Sequence, residues 1–272
     1  MTAHDVDRTF AGSIPRIYET YMVPMVFAPY AEDIGERVRG IGARRVLEIA
    51  AGTGVVTRSL AEKLADDVAI VATDLNQAMV DHARSLGTSR PVEWRQADAL
   101  ALPFADASFD VVVCQFGVMF FPDKARGYAE IRRVLAPQGA FVFNAWDRIE
   151  DNEFAADATD AAATIFPDDP PRFLARVPHG YCDPTRIRAD LVAGGFVNAP
   201  TIESVVMRSR AESARHAALG FCHGTPLRNE IEARDASRLA DVVDAATAAI
   251  ARRFGNGIVD GKMLANVVTI RR

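Results

Sequence analysis

The stretch Val46-Leu47-Glu48-Ile49-Ala50-Ala51-Gly52-Thr53-Gly54 runs from a short apolar strand pattern into a glycine-containing turn and then into a helix. Glycine at such a turn lets the backbone bend tightly and lets a ligand approach where a Cβ would collide. The helix is read from Val56, Leu60 and Leu64, which recur at helical spacing while Arg58, Glu62 and Lys63 fall on the other side. A Gly-x-Gly turn alone is common at strand-to-helix junctions for steric reasons, so its meaning rests on what surrounds it.

From Arg45 to about Trp146, short β-rich runs alternate with helical stretches, as a parallel sheet with crossover helices requires. Strands are expected at Val46–Ile49, Val68–Thr73, Val92–Gln96, Val111–Gln115 and Ala140–Trp146, four of the five largely apolar like strands covered on both faces. Asp123 is expected to cap a helix whose buried stripe is Tyr128, Ile131 and Leu135 and which Pro137 and Gly139 stop. Beyond Trp146 the spacing predicts helices at Glu153–Phe166 and Pro184–Ala193, a strand near Ile202–Met207, one long helical segment from about Ala211 to Phe254, and a strand near Ala265–Ile270. The two late strands are read as completing the same sheet, and the late helices as an elaboration over one edge. Phe10–Ile34 is rich in aromatics and Met (Phe10, Tyr18, Tyr21, Met22, Met25, Phe27, Tyr30) and reads either as a helix packed on the core or as a lid over a bound ligand.

Three carboxylates give the turn its chemical context. Asp74 ends the second strand about 22 residues beyond Gly52, where an acidic residue can accept hydrogen bonds from ribose hydroxyls. Asp98 follows the third strand, so Glu48, Asp74 and Asp98 fall at or near the carboxyl ends of adjacent strands, the binding crevice of an open α/β sheet. A dinucleotide would place a dianionic pyrophosphate beside Glu48, which is repulsive, whereas the sulfonium and ammonium of S-adenosylmethionine are attracted to acidic neighbours. Thr57 also stands where the dinucleotide fingerprint has its third glycine, which makes nicotinamide binding the lesser reading.

Taken in order, Glu48-x-Ala50-x-Gly52-Thr53-Gly54, Asp74, Gln96-Ala97-Asp98-Ala99 with Leu102-Pro103-Phe104, Phe109-Asp110-Val111-Val112-Val113-Cys114 and Arg133-Val134-Leu135-Ala136-Pro137-Gln138-Gly139 resemble the successive motifs of class I methyltransferases. The chain is most similar to the group that includes the ubiquinone and menaquinone C-methyltransferases, and the motifs span about Arg45 to Trp146. The resemblance implies an α/β, Rossmann-like fold: a seven-stranded, mostly parallel sheet with helices on both faces and a helical elaboration in the C-terminal part. It implies a single domain over 1–272, with an N-terminal helical lid (1–40), a cofactor-binding core (41–147) and C-terminal strands with an acceptor-side elaboration (148–272). It further implies S-adenosyl-L-methionine as cofactor. Ala50, Ala51, Gly52 and Gly54 would line its methionine moiety beside Glu48, and Asp74 would bind the ribose. Leu75 and Met79 would border the adenine, Asp98 would accept from its amino group, and the Ala99 amide would meet the ring. Gln115 and Phe116 would lie near the sulfonium, and Tyr18 would be a lid contact to the cofactor carboxylate. Ala50 departs from the commonest form of the first motif, which has glycine there; the quinone-type group also tolerates alanine.

Composition narrows the partners. A net charge of −5 and only isolated Arg pairs provide no footprint for nucleic acid. No run approaches a membrane span and the first residues lack a secretory apolar stretch, so a cytoplasmic protein without membrane insertion is expected. Cys114, Cys182 and Cys222 are too few and too scattered for a disulfide framework or a zinc site. The expected partners are a small-molecule methyl acceptor and, as one assembly left open, a second copy in a homodimer.

Transfer from a sulfonium is an in-line displacement in which alignment and exclusion of water supply much of the acceleration, so no catalytic triad is needed. His179, His216 and His223 are candidate bases for an acceptor that must lose a proton, although each such histidine is more often structural or solvated. The aromatic stretch Phe116–Phe121 suits an apolar pocket wall, and no catalytic residue is assigned. An S-adenosylmethionine-binding regulator without transfer activity remains the alternative.

Overall fold

The structure, a computed structural model, describes residues 14–272, so Phe10 lies outside the described residues. The described residues divide into two compact units: a sheet unit (30–145, 181–205 and 265–272) and a helical unit (14–29, 146–180 and 206–264).

In the sheet unit, α1 (Ala28–Ile41) leads into β1 (Arg45–Ile49), α2 (Val55–Lys63), β2 (Ala69–Asp74), α3 (Gln77–Leu86), β3 (Glu93–Gln96) and β4 (Phe109–Gln115). Then follow α4 (Lys124–Val134) and β5 (Leu135–Trp146). Strands one to five lie within about two residues of their expected ends, except that β5 begins directly at the end of α4, five residues earlier than Ala140. β1 pairs in parallel with β2 and β4, β2 with β3, and β4 with β5. The full order is β3-β2-β1-β4-β5-β7-β6, in which both late strands, β6 (Thr201–Ala211) and β7 (Val259–Arg271), join the same sheet, as expected.

The alternation of side chains explains the two covered faces. Val46, Ile70, Val111, Val113, Ala140 and Val142 share one face, packed on Ile34 and Val38 of α1 and Val56 and Leu60 of α2. On the opposite face Phe141 and Phe143 stack 4.6 Å apart and pack with Tyr128 of α4. β3, at one edge of the sheet, is largely exposed, as is the strand at the other edge, Thr201–Ala211. Asp123 caps α4 as expected, its side chain accepting from the Arg126 amide at 2.9 Å.

In the helical unit, residues 18–27 form a π-helix that contains Pro24. Here α5 (Glu153–Ile165) packs with helices from the later part of the chain. The sheet unit contributes α6 (Pro184–Ala193), and β6 (Thr201–Ala211) and β7 (Val259–Arg271) run through both units. Both late strands are longer than expected, and Arg208 and Arg210 on β6 pair with Asp260 on β7 in the extension. The bonds from the Asp147 amide to the Leu264 carbonyl and from the Arg272 amide to the Gly139 carbonyl make β7 antiparallel to β5.

The long helical segment expected from Ala211 to Phe254 is three helices: α7 (Ala214–His223), α8 (Leu227–Asp235) and α9 (Leu239–Phe254). Gly224 closes the first on the Gly220 carbonyl, and the Thr225 hydroxyl accepts the Leu227 amide to start the next. At the second break the Asp235 carboxylate takes the Ser237 amide at 2.9 Å, a local bond that competes with continuation of the helix. α9 packs against α5 and α7, and Gly220 on α7 leaves room for Tyr21, Met22 and Met25 of the π-helix.

Among the described residues no helix is long and apolar enough to cross a membrane, and no group of three or more His, Cys, Asp or Glu side chains is placed to hold a metal ion.

Candidate functional site

The first strand ends in a turn held by its own backbone. Ala50, Gly52 and Gly54 have φ of 53°, 56° and 85°, the left-handed region that favours glycine. The Ala51 amide donates to the Thr73 carbonyl at 2.9 Å, and the Gly54 amide to the Ala51 carbonyl at 2.9 Å. Gly54 then opens α2, and a Cβ there would lie 2.7 Å from the Trp94 ring. The Thr53 hydroxyl is buried in this turn without a hydrogen-bond partner among the described residues.

Ala50, the departure from the commonest motif, sits at positive φ, where a Cβ costs about 1–2 kcal/mol. The structure accommodates its methyl group at Gly117, just past β4: a Cβ on Gly117 would lie 2.6 Å from the Ala50 Cβ and 2.6 Å from the Cys114 Sγ. Gly117→Ala is therefore expected to destabilise the chain by about 1–3 kcal/mol through overpacking. Ala50→Gly should restore only part of that loss, because the Cys114 sulfur remains in the way. Denaturation midpoints for the two single variants and the double variant check this, and a wild-type midpoint for Gly117→Ala would disprove the crowding.

Asp74 closes β2 as expected. One carboxylate oxygen accepts the Gly52 amide at 2.9 Å and the other the Asn76 amide at 2.8 Å. Burial raises its pKa, against the lowering effect of those amides. The carboxylate thus stands at the strand end and also ties the glycine turn of β1 to β2.

Glu48 differs from the open anion expected beside the turn. It is 2% exposed, and its carboxyl accepts the Thr57 hydroxyl at 2.5 Å. Burial pushes its pKa up to about 8, with the Thr57 hydrogen bond opposing, so the ligand-free carboxyl is protonated at neutral pH. Thr57, noted for replacing a glycine, is the residue that holds Glu48.

The remaining expected positions fall as follows. Asp98 is exposed after β3 and its carboxylate accepts the Leu100 amide at 2.9 Å, with Ala99 half-buried beside it. Leu75 is 38% exposed, whereas Met79 is buried on α3. Gln115 and Phe116, both buried, close β4. Tyr18 belongs to the helical unit, where its ring stacks on Phe27 at 4.8 Å. The register gathers the sheet residues: Gln96 pairs with Asp74, and Gln115 with Asn144, while Ile49 pairs with Thr73 and Glu48 with Val113 just before the turn. Gln96, Asp74, Ala50, Gln115 and Asn144 are thus one row at the carboxyl edge.

Several side-chain contacts that shape this edge were not foreseen from the sequence, those of Arg133, quoted above only as part of a motif, among them. Arg133 binds Glu130, Asp106 and the carbonyls of Leu102 and Phe104, fixing the loop after β3. Lys124 donates to the carbonyls of Met119 (3.1 Å) and Phe121 (2.6 Å), holding the turn after β4. Burial, aided by Arg186, lowers its pKa to about 8. Asn144 accepts the Phe116 amide at 2.8 Å. None of these partners follows a periodic pattern that would have marked it in the sequence.

Of the candidate bases, His179 is buried in the helical unit next to Trp146, and its Nδ1 lies 2.7 Å from the Asp147 carbonyl. A carbonyl only accepts, so Nδ1 carries the proton and Nε2 the lone pair. Burial lowers its pKa to about 4, leaving it neutral at pH 7. His223 ends α7 with a pKa lowered by burial, and His216 packs against Tyr21 with ring centroids 4.6 Å apart.

Comparison with known proteins agrees with this geometry. Residues 47–143 match the family described as Methyltransferase domain. A 101-residue stretch is 44% identical to demethylmenaquinone methyltransferase of Deinococcus radiodurans, covering 36% of this chain and 42% of that enzyme's length. The chain thus spans less than half of the relative it matches. Among solved structures, the YcgJ protein from Bacillus subtilis superposes with a TM-score of 0.57 at 18% identity, over 90% of this chain and 98% of that one. Haemonchus contortus phosphoethanolamine N-methyltransferase 2, solved with S-adenosylhomocysteine, superposes with a TM-score of 0.59 at 16% identity, over all of this chain and 61% of that one. These two likenesses show the fold. The methyltransferase-domain match covers residues 47–143, the stretch that carries the motif series and, Asn144 apart, the carboxyl-edge row.

Proposed function

We propose that this chain transfers a methyl group from S-adenosylmethionine to a small-molecule acceptor. The observation that carries the proposal is the carboxyl-edge row: a left-handed turn at Ala50–Gly54, tied to the Asp74 carboxylate through Gly52. The residues fit the cofactor. The turn presents backbone and a buried, unpartnered Thr53 hydroxyl to the methionine moiety, and Asp74 stands where ribose hydroxyls would be held. Asp98 stands one strand further on, at the adenine position that the motif resemblance implies.

S-adenosylmethionine, when bound, would supply an electrophilic methyl group. The chain's own part is to align it and to exclude water with the buried side chains of Phe116, Met119 and Phe121 after β4. The names of the matched relatives support an isoprenoid quinol as the first acceptor class to assay.

Calorimetric titration with S-adenosylmethionine, S-adenosylhomocysteine and NAD tests the cofactor. Binding of the first two with none of the third is expected, and tight NAD binding alone would overturn the reading. Transfer of labelled methyl groups to a quinol and phenol panel separates an enzyme from a cofactor-binding regulator.

A further inference from the structure

The junction of β4 and β5 carries two features that neither strand pairing nor core packing requires. Phe116, a non-glycine residue, has φ of 49°. Its amide donates to the Asn144 Oδ1 at 2.8 Å, and its ring meets Tyr30 edge-on at 5.2 Å. That bond fixes the orientation of the Asn144 amide, because an N–H can donate only to the oxygen. The Asn144 Nδ2 is therefore the free end. Asn144 is fully buried, and Nδ2 has no hydrogen-bond partner among the described residues. A buried donor left unpaired and a left-handed non-glycine residue at one point are the mark of a site that a ligand completes.

The register says which ligand. Asn144 belongs to the carboxyl-edge row, on the same face as Val142 and Ala140. In the order β3-β2-β1-β4-β5 it stands two strands beyond the glycine turn, on the side away from Asp74. At about 4.8 Å per strand, that is roughly 10 Å from β1 and 15 Å from the strand of Asp74. An adenosine over β2 and β3, with its methionine moiety at β1, leaves this end of the row to the molecule being methylated.

We propose that Asn144 is an acceptor-binding residue whose Nδ2 donates to an oxygen of the methyl acceptor. The acceptor class is then a phenol, quinol or enol, with the bonded oxygen at or next to the atom that takes the methyl group. The acceptor hydroxyl gives its proton to solvent, and the fixed amide dipole stabilises the resulting oxyanion without reorganising. The bond from that oxygen, or from the carbon next to it, to the methyl group then forms as the methyl–sulfur bond breaks and S-adenosylhomocysteine leaves. A methylated carbon afterwards loses its own proton to solvent. The same Asn144 amide holds Phe116, so one side chain shapes the end of β4 and reads the acceptor. This inference rests on the methyltransferase reading above.

The test follows the Asn144 side-chain amide by nitrogen-15 NMR in the full chain, assigned as the NH2 pair lost in Asn144→Asp. Binary titration uses S-adenosylhomocysteine, and ternary titrations of the saturated protein use catechol, 1-naphthol and 1,4-naphthoquinol, with naphthalene as the hydroxyl-free control. The expected result is a pair unmoved by S-adenosylhomocysteine and by naphthalene but shifted by at least one hydroxylated probe. Asn144→Asp keeps an oxygen for the Phe116 amide, so it should bind S-adenosylhomocysteine nearly as wild type does and the responding probe about tenfold more weakly. If that variant does not fold, the wild-type resonance still decides. A shift complete with S-adenosylhomocysteine alone would hand the donor to the cofactor carboxylate and overturn the proposal, as would no shift in any mixture. Failure to bind S-adenosylhomocysteine at all would remove the methyltransferase reading itself.

Discussion

Asp74→Ala is expected to weaken S-adenosylhomocysteine binding by about 1–3 kcal/mol, the range for hydrogen bonds to a charged group that is lost from a site. Two effects act together. The variant loses the carboxylate proposed to hold the ribose and also releases the Gly52 amide, which Asp74 holds at 2.9 Å with Gly52 at φ of 56°. The turn keeps its second tie, from the Ala51 amide to the Thr73 carbonyl, and Ile70, Val71 and Ala72 stay buried, so the fold should persist. Asp74→Asn should fall between wild type and alanine. Its NH2 group must face either the Gly52 or the Asn76 amide, both donors, so only one of the two backbone bonds survives. Calorimetric titration of each variant beside a thermal melt checks both statements. An unchanged dissociation constant in Asp74→Ala would show that the carboxyl edge of β2 is not where the ribose lies.

The second large effect is a pH dependence of stability that Glu48→Gln should remove. In the folded chain the Glu48 pKa is raised by burial from its ordinary 4.5 to about 8. Between those values the folded carboxyl keeps its proton while the unfolded chain has released it. The unfolded state then binds fewer protons, so stability falls as pH rises, by up to about 1.4 kcal/mol per pH unit, and levels off once the folded group also ionises above about pH 8. Glutamine cannot ionise and can still accept the Thr57 hydroxyl, so its stability should lack this slope and exceed that of wild type at pH 8.5. Urea midpoints at pH 5.5, 7 and 8.5 on the ligand-free proteins measure it. Parallel profiles for the two proteins would mean that Glu48 is ionised in the fold.

The local pattern of this chain was enough to order its core. Strands and crossover helices from Arg45 to Trp146 are written in apolar periodicity, and the Gly52–Gly54 turn in residues that tolerate left-handed backbone, because both depend on neighbours a few positions away. The ends of β1 and β2, the cap at Asp123, and the placing of Asp74 at a strand end followed from the same short-range rules. The breaks at Gly224-Thr225-Pro226 and at Asp235 are also written locally, in a glycine and in an aspartate that binds the backbone two residues on.

Other features depend on partners far apart in the chain. Asn144 matters because strand register sets it 28 residues from the Phe116 amide it accepts. β7 enters between β5 and β6 through pairings that no local pattern encodes, such as Asp147 with Leu264. Glu48 was correctly placed by the sequence, but its charge was not, since a carboxyl's ionisation follows from what surrounds it, and only the packed fold puts it 2% exposed against a single hydroxyl. Residue type and spacing determined where chemistry could reside on this chain; burial and register, which are properties of the assembled tertiary structure, decided the protonation and the free hydrogen-bonding atom of the groups found there.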